Sequence, residues 1–347
     1  MQENQVKTSN NLTVSVDWLS FTILDDDFSP ENVIDFLGFE REQFRNMPNG
    51  ANGYKHMLKY EDISILYDGA SNMGIHINIS GGSIATVLES YKETLVVDTP
   101  FGKSYDLWQE TALCHLLRSI LDIGNITRID LAIDDIGCQY YSLDEIVNKL
   151  SNGKVVSKWR TYRNLNEKIV ADYEKVGHTL YFGSVQSEIQ LRIYDKRLEQ
   201  NKGRNIDDEN YIDYEWVRWE LELRKDRAHE VVKLLANKDK LGEVTIGVLS
   251  NYFRIIVLDD VNKSRCSLEP KWARFINNVA KLRITVKKQE KTLDEEIKMF
   301  EHQNGRKVAK ILLANGGDKD YFGDLGMRYI DRLTPQDKEQ LAQIGAY

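Results

Sequence analysis

The chain has 347 residues, of which 41% are hydrophobic and 29% charged, and its formal net charge is -8. This composition supplies a full hydrophobic core, and the sequence has neither a run of about 18 apolar residues nor a basic-then-apolar N-terminus, so we expect a cytoplasmic protein with no membrane partner. Three widely spaced cysteines without a CxxC spacing argue against a disulfide framework, and the negative charge argues against DNA binding by bulk electrostatics alone.

The first half of the chain predicts a strand, a helix, three strands and two further helices, from alternating apolar residues and the turn signals between them. Ser29 and Pro30 form a typical helix start, with a capping residue followed by proline at the first helical position. The predicted strands span residues 12–23, 54–60, 63–67 and 74–80, and the predicted helices span residues 30–38, 83–91 and 105–123.

The second half repeats this order, which suggests an internal duplication. Its predicted strands span residues 126–134, 178–183, 189–196 and 215–224, and its helices residues 142–150 and 226–235, with a polar, basic connection before residue 178. From about residue 261 the pattern changes to charged amphipathic helices at residues 271–288, 293–300 and 306–313, a break at Gly316-Gly317 and a last helix that begins at Thr334 and Pro335.

We therefore predict an α+β fold with a large, mainly antiparallel sheet, because strands separated by short turns favour antiparallel pairing. The sheet would be flanked by helices, consist of two copies of a strand, helix and three-strand unit, and be followed by a helical C-terminal region. The predicted domains are residues 1–125, which support the sheet, dimerise or contact DNA; residues 126–260, which carry the chemistry; and residues 261–347, which form a specificity or partner module or a helical buttress.

Three predicted strands of the second half place their ionisable residues on one face, because side chains alternate between faces along a strand. If these strands are neighbours, one surface combines carboxylates, a tyrosine and cations, which suits a metal-assisted attack by tyrosine on a phosphodiester. This polar face carries Arg128, Asp130 and Asp134 from one strand, Arg192, Tyr194 and Lys196 from the second, and Arg218, Glu220, Glu222 and Arg224 from the third.

Tyr194 is the candidate nucleophile, because it lies between cations on a strand whose neighbours supply carboxylates. A phenol with a pKa near 10 needs help to attack phosphate at neutral pH, and a metal ion or the nearby Arg192 and Lys196 would provide that help. The alternative is a structural tyrosine that packs its ring and hydrogen-bonds its hydroxyl group.

Asp130, Glu220 and Glu222 have the spacing of ligands for a hard divalent cation such as Mg²⁺ or Mn²⁺, which prefers oxygen donors. Asp134 is a weaker fourth candidate, and His76 is a candidate metal ligand or phosphate contact whose alternative is an ordinary structural role. For the acidic residues the alternative is a network of cross-strand ion pairs with the arginines of the polar face. Both arrangements are compatible if these arginines bind DNA phosphates in the active state.

Candidate DNA contacts come from the arginines of the polar face and from two basic stretches that also contain aromatic residues. For each stretch the alternative is a solvated helix face. The candidates are Arg128, Arg218, Arg224, Lys158, Arg160, Lys287 and Lys288.

Four motifs between about residues 126 and 226 occur in an order that resembles a known family. They are Arg128-Ile-Asp-Leu-Ala-Ile-Asp134, Thr179-Leu-Tyr-Phe-Gly183, Leu191-Arg-Ile-Tyr-Asp-Lys-Arg-Leu-Glu199 and Arg218-Trp-Glu-Leu-Glu-Leu-Arg224. The order resembles the trans-acting rolling-circle replication initiators of small plasmids and the related relaxases of integrative conjugative elements. Two N-terminal segments are similar to the element-borne branch of that family, Val16-Asp-Trp-Leu-Ser-Phe21 and Gly74-Ile-His-Ile-Asn-Ile-Ser-Gly81.

The resemblance implies a strand transferase that nicks one DNA strand at an origin, with Tyr194 joined to the 5′ phosphate and a 3′ hydroxyl left as a primer. It also implies that Asp130, Glu220 and Glu222 match the acidic metal-binding positions, that a homodimer acts on duplex or hairpin and single-stranded origin DNA, and that a superfamily 1 helicase is loaded. Two other functions stay open, a non-enzymatic origin-binding protein and a metal-dependent nuclease that uses water. The motifs fit plasmid replication and conjugative transfer alike.

Overall fold

The computed structural model describes residues 11–25, 27–94, 97–99, 102–104, 109–169, 175–204, 206–208, 210–237, 240–281, 293–333, 338, 341 and 342. The chain divides into two compact units, Met1–Lys287 and Lys288–Tyr347. Among the helices in these ranges, none combines the length and the apolar character that crossing a bilayer requires.

The first unit combines antiparallel strands with helices. Within the described ranges its strands are β1 (Leu12–Ile23), β2 (Arg45–Asn46), β3 (His56–Tyr60), β4 (Ile63–Tyr67), β5 (Ile75–Ser80), β6 (Val97–Thr99), β7 (Gly102–Ser104), β8 (Asn125–Ile136), β9 (Val155–Ser157), β10 (Tyr162–Lys168), β11 (Lys175–Phe182), β12 (Ile189–Asp195), β13 (Trp216–Arg224) and β14 (Phe253–Ile255). Its helices are α1 (Pro30–Phe36), α2 (Ser83–Thr94), α3 (Gln109–Ile123), α4 (Leu143–Ser151), α5 (Lys196–Gln200), α6 (Lys225–Ala236), α7 (Leu241–Tyr252) and α8 (Pro270–Ala280).

Ten of these strands form one sheet with the order β10-β11-β12-β13-β8-β1-β5-β4-β3-β2. Counted outward from the central pair β8 and β1, each side carries the remaining strands of one half of the chain in reverse order. This mirrored order agrees with the predicted duplication, although four strands rather than three lie outside each central strand. The predicted large antiparallel sheet with flanking helices is confirmed.

One face of the sheet is apolar and packs against helices. The hydrophobic core joins Phe21, Ile129 and Trp219 of the central strands to helix residues such as Leu117 and Val232. Burying a side chain of this size contributes about 1.5–3 kcal/mol, and a register slip of one residue would turn the whole apolar set toward solvent. The core therefore fixes which side chains occupy the opposite, polar face.

Local signals start and stop the elements that hold the sheet. Ser29 caps α1 by accepting a hydrogen bond from the backbone of Asn32, whose side chain accepts from the Ser29 backbone in return. The Ser142 side chain caps α4 in the same way, by accepting from the backbone nitrogen of Glu145. These caps satisfy backbone donors that the first turn of a helix leaves unpaired.

The structure corrects the predicted connection before residue 178, where it has strands β9 and β10. Every residue of β10 is exposed because this strand lies at the edge of the sheet, so it carries no apolar alternation from which to predict it. Helices α5 and α7 were not predicted either. The predicted helix at residues 271–288 is α8, which ends at Ala280, and residues 282–288 lie outside the described residues.

The second unit is helical where it is described. Helix α9 (Leu293–Ala314) is continuous, so the two helices predicted at residues 293–300 and 306–313 are one. Gly316 and Gly317 follow it with left-handed φ values of 67° and 82°, the backbone conformation that ends a helix at the predicted break. Helix α10 (Asp320–Tyr329) comes next, and the helix predicted at Thr334 and Pro335 begins outside the described residues.

Candidate active site

Strands β12, β13 and β8 are neighbours in the sheet, so their polar faces form one surface opposite the helices. Side chains line up in three rows across these strands: Tyr194, Arg218 and Asp134; Arg192, Glu220 and Ala132; and Gln190, Glu222 and Asp130. A pocket of about 600 Å³ opens over this surface and is lined by residues that include Tyr194, Arg192, Glu220, Asp130 and Lys196. The structure thus brings the candidate nucleophile and the candidate acidic ligands together.

Tyr194 is almost fully buried, and its hydroxyl group donates a hydrogen bond to Oε2 of Glu220 at 3.0 Å. Burial raises the pKa of Tyr194 well above its usual value, and the negative charge of Glu220 raises it further. The phenol is therefore protonated at neutral pH, and its proton points at a carboxylate. Glu220 was expected only as a metal ligand, and the structure also places it where it can take this proton.

Two arginines cross-link the acidic residues. Arg192 pairs with Oε1 of Glu220 and lies 3.6 Å from Oδ2 of Asp130. Arg128 donates from Nε to Oδ1 of Asp130 at 2.8 Å and lies 3.0 Å from Oε2 of Glu222. The cross-strand ion pairs that were the alternative to a metal site are therefore present.

The pKa of Asp130 is raised by burial and by the carboxylates around it. Burial raises the pKa of its carboxyl group to about 7, and the charges of Glu220 and Glu222 add to this effect against the opposing attraction of Arg128. Near neutral pH both the protonated and the ionised form of this carboxyl group are therefore populated. Additional positive charge close to it would favour the ionised form.

The three acidic residues fit a hard divalent cation by donor type, since all offer carboxylate oxygens on one face. Their oxygens are nevertheless turned toward arginines, and within the described ranges no group of three or more histidine, cysteine or acidic residues has the arrangement of a metal site. Binding a cation here would require Arg192 or Arg128 to move aside. About 29% of the Arg192 side chain is exposed, so it has room to do so.

Asp134 belongs to a separate ion-pair group. Arg218 holds it with two hydrogen bonds of 2.7 and 2.9 Å, and the indole nitrogen of Trp216 donates to it at 2.7 Å. Arg218 also contacts Asp17 at 2.5 Å, and these carboxylates raise the pKa of its guanidinium group. Asp134 and Arg218 thus bind each other, and neither is among the residues that line the Tyr194 pocket.

Lys196 does not continue the polar face of β12, contrary to prediction, because the strand ends at Asp195. The Asp195 carboxylate accepts a hydrogen bond from the backbone of Leu198 at 3.0 Å and caps α5, of which Lys196 is the first residue. Lys196 pairs with Glu199, and its Nζ lies 5.6 Å from the centroid of the Tyr194 ring. It lines the pocket, but its contact with Tyr194 is with the ring.

His76 lies on β5, four strands from Tyr194, and not in the Tyr194 pocket. Its Nδ1 is 2.8 Å from the hydroxyl oxygen of Thr22, and its Nε2 is 3.1 Å from Oδ1 of Asn78. Burial lowers its pKa. The structure therefore separates His76 from the acidic cluster.

The other candidate DNA contacts are spread over the first unit. Arg224 pairs with Glu222 at the end of β13. Lys158 is exposed, donates to Oδ1 of Asn251 at 2.5 Å and lies over a tyrosine ring, and Arg160 is also exposed. Lys287 and Lys288 lie outside the described residues.

Asp17 and Trp18 line the Tyr194 pocket and were missed as site residues. A β-bulge makes Asp17 the extra residue between Val16 and Trp18, so that Asp17 and Trp18 both face the polar side. The sequence does carry a signal, since the buried residues Val16 and Leu19 are three positions apart where regular alternation requires two.

Comparison with known proteins accounts for most of the chain. Residues 124–325 match the model of the replication initiation factor family, and residues 13–94 match that of the rolling circle replication initiation protein N-terminal domain. The chain is 28% identical over 296 residues to the protein named "Putative DNA relaxase NicK" of Bacillus subtilis (strain 168), covering 83% of this chain and 78% of that protein.

A solved structure gives the same result at the level of the fold. The rolling circle replication initiator protein from Geobacillus stearothermophilus superposes with a TM-score of 0.65 at 30% sequence identity, over 80% of this chain and 99% of that one. Its sequence similarity and shared fold agree with the family models, one of which covers more than half of the chain. The chain therefore belongs to the replication initiation factor family of rolling-circle initiators and relaxases.

Proposed function

We propose that this protein nicks one strand of origin DNA by transesterification, with Tyr194 as the nucleophile. Membership of the family supports DNA nicking for replication or transfer. The observation that carries the assignment to Tyr194 is its 3.0 Å hydrogen bond to Glu220, in a pocket that opens beside two arginines. A nucleophilic hydroxyl group in contact with a proton acceptor that a third group orients is the usual arrangement in covalent catalysis.

In the proposed reaction the phenol oxygen of Tyr194 attacks phosphorus while its proton passes to Glu220. The bond between phosphorus and the 3′ oxygen breaks, and the 3′ oxygen leaves as a hydroxyl group by taking a proton from water. The hydroxide that remains takes the proton from Glu220, which restores the carboxylate. The 5′ phosphate stays on Tyr194 as a diester, so the energy of the broken bond is kept. The reverse reaction, in which a 3′ hydroxyl attacks the phosphotyrosine, rejoins the strand.

Arg192 is the residue that we assign to the scissile phosphate. Its Nε is buried and has no hydrogen-bond partner among the described residues, although its terminal nitrogen pairs with Glu220. A phosphate oxygen would satisfy this donor, and arginine binds phosphate in a planar, forked geometry. Negative charge that develops on the phosphate is thereby stabilised.

Mg²⁺ or Mn²⁺ is part of the proposal, held by Asp130 and Glu222 with Glu220 as a third ligand. When bound, such an ion neutralises phosphate charge and makes phosphorus more electrophilic. Arg192 and Arg128 would then release the carboxylates and turn toward the DNA. Burial is the main cause of the raised pKa of Asp130, and the charges of Glu220 and Glu222 add to it; an added cation would offset the repulsion among these carboxylates.

Further partners follow from the resemblance to the family. We propose origin DNA, as duplex or hairpin and as single strand, as the substrate, a homodimer as the acting form and a superfamily 1 helicase as a partner. Arg128, Arg224, Lys158 and Arg160 are the described residues that we propose as DNA contacts.

Covalent capture tests the proposal. The protein is incubated in the presence of Mg²⁺ with a supercoiled plasmid that carries the origin on which this protein acts. The products are digested with nuclease and protease and examined by mass spectrometry for a nucleotide on Tyr194. Tyr194→Phe should abolish nicking and the adduct. Tyr181→Phe is the matched control, because Tyr181 lines the same pocket on the neighbouring strand, and it should keep both.

The outcomes separate the three candidate functions. If Tyr194→Phe still nicks at the parent rate, water or another residue is the nucleophile and the proposal is wrong. If the parent binds the origin but leaves it intact at all Mg²⁺ and Mn²⁺ concentrations, the protein is an origin-binding protein without nicking activity.

A further inference from the structure

A second pocket, of about 470 Å³, opens on the same face of the sheet over its N-terminal half. Strands β1, β3, β4, β5 and β8 and the end of β13 line it, and it shares Trp18, Ser80 and Arg128 with the Tyr194 pocket. Strands β1 and β12 are three strand spacings apart, which corresponds to about 14 Å. A DNA strand held at Tyr194 would therefore reach this pocket, which we call the Asn78 pocket, within a few nucleotides.

A β-bulge in β8 gives the Asn78 pocket an unsatisfied hydroxyl group. The pairing of β1 with β8 skips Thr127, between the pairs Ser20 with Arg128 and Phe21 with Ile126. Thr127 and Arg128 therefore both lie on the polar face. The Thr127 oxygen is buried and has no hydrogen-bond partner among the described residues. A buried hydroxyl group without a partner destabilises the protein, so a ligand group that pairs with it is favoured.

A chain of hydrogen bonds fixes the amide of Asn78. The indole nitrogen of Trp18 can only donate, and it donates to the Ser20 hydroxyl oxygen, which in turn donates to Oδ1 of Asn78 at 2.7 Å. Oδ1 of Asn78 is therefore the acceptor, and Nε2 of His76 donates to it as well, at 3.1 Å. The NH₂ group of Asn78 keeps two donors for which the described residues provide no acceptor.

The edge of the Asn78 pocket is mainly cationic. Arg128 and Arg224 line it, each paired with Glu222, and so does Lys59, which has no ion-pair partner in the described part of the chain. Asp62 is the acidic residue among the lining residues. A pocket with fixed amide donors inside and an unpaired ammonium group at its edge suits a polar, planar ring attached to a phosphate.

We infer that the Asn78 pocket binds one nucleotide of the cleaved DNA strand, a few positions from the nick. The base edge pairs with the amide of Asn78 and the hydroxyl group of Thr127, and the adjoining phosphate pairs with Lys59. This inference rests on the proposed nicking function and adds a sequence-reading role to the N-terminal half of the sheet. Hydrogen bonds to a base edge discriminate between bases, whereas a phosphate contact does not.

The test is a scan of abasic sites in single-stranded origin oligonucleotides, with binding measured on the Tyr194→Phe protein so that no cleavage occurs. We expect one abasic position near the nick to weaken binding about tenfold. In a protein that also carries Thr127→Val, this penalty should fall below threefold, while the penalties at other positions stay unchanged. Thr127→Val removes a buried hydroxyl group without a partner and keeps its shape, so folding should be preserved.

Two comparisons complete the test. Thr86→Val, on α2 and outside the Asn78 pocket, should leave the whole scan unchanged. Lys59→Met should weaken binding to every oligonucleotide. It should also reduce the slope of the logarithm of the binding constant against the logarithm of the salt concentration by about one, as expected for the loss of one phosphate contact. Equal abasic penalties in the parent and in Thr127→Val would overturn the inference. Adduct formation is measured separately, on the protein that retains Tyr194. A protein that forms the adduct but shows equal abasic penalties therefore contradicts this inference alone, whereas loss of the adduct contradicts the proposed nicking function.

Discussion

Replacing Glu220 with glutamine should slow formation of the Tyr194 adduct at least a thousandfold at pH 7. A phenol with a pKa near 10 is ionised to only about one part in a thousand at this pH. Burial, the main cause of the raised pKa of Tyr194, persists in the variant, so the ionised fraction is below this value and a thousandfold loss is the minimum expected. Glutamine still accepts a hydrogen bond but cannot take a proton, so only this small ionised fraction reacts. The loss corresponds to about 4 kcal/mol of activation free energy.

The assay is single-turnover adduct formation with excess protein and a labelled origin oligonucleotide, followed from pH 6 to pH 9.5. In Glu220→Gln the rate should rise about tenfold for each pH unit, because hydroxide must now remove the proton. The parent should lack this steep rise, because Glu220 takes the proton at neutral pH. Thermal unfolding checks that the Glu220→Gln variant is folded. We expect it to be, because Arg192 keeps Asp130 as a charged neighbour at 3.6 Å.

Glu199→Gln is the matched control, because Glu199 is a carboxylate that lines the same pocket but is half exposed and pairs with Lys196. It should change the adduct rate less than threefold and leave the pH profile of the parent in place. A Glu220→Gln protein that forms the adduct within threefold of the parent rate, with the same pH profile, would refute the assignment of Glu220 as proton acceptor.

Three further predictions concern the acidic residues. The free energy of unfolding should fall as the pH rises from about 4 to 7, by a few kcal/mol, because the raised pKa of Asp130 makes the folded state bind its proton more tightly. Urea titrations at several pH values measure this free energy. It should fall less with rising pH in Asp130→Asn, and as much as in the parent in the control Asp122→Asn, which changes an exposed residue. Arg218→Met should lower that free energy by about 3–5 kcal/mol, because it leaves Asp134 and Asp17 without their cation, and normal stability would contradict this. In calorimetry, Asp130→Asn should weaken Mn²⁺ binding more than tenfold and Asp134→Asn less than threefold, and equal effects would contradict the proposed ligand set.

Alternation along the strands was sufficient to predict the shared polar face. Side chains repeat every two residues in any strand, so placing Tyr194, Glu220 and Asp130 on one surface required only that three apolar-polar strands be neighbours. The apolar residues that alternate with these polar ones must face the core. The polar residues must therefore all lie on the opposite face of the sheet. This is why the fold class and the placement of Tyr194, Glu220 and Asp130 on one face followed from the sequence.

The pairing of charges did not follow from the sequence. Which arginine meets which carboxylate depends on the register between strands that are up to about 90 residues apart, and that register is a property of the whole sheet. Two bulges add residues that strict alternation assigns to the wrong face, Asp17 in β1 and Thr127 in β8. Lys196 leaves its predicted face because the cap at Asp195 ends the strand one residue early.

The ion pairs around Glu220 bear directly on when Tyr194 would react. Arg192 pairs with one oxygen of the Glu220 carboxylate, and Tyr194 donates its hydrogen bond to the other oxygen. In the proposed reaction a DNA phosphate competes for Arg192, because its buried Nε lacks a partner among the described residues. Once Arg192 turns to the phosphate, the Glu220 carboxylate loses this ion pair at the moment when the nucleophile has a target. The same arginine would thus link the arrival of the DNA phosphate to the carboxylate that takes the proton of Tyr194.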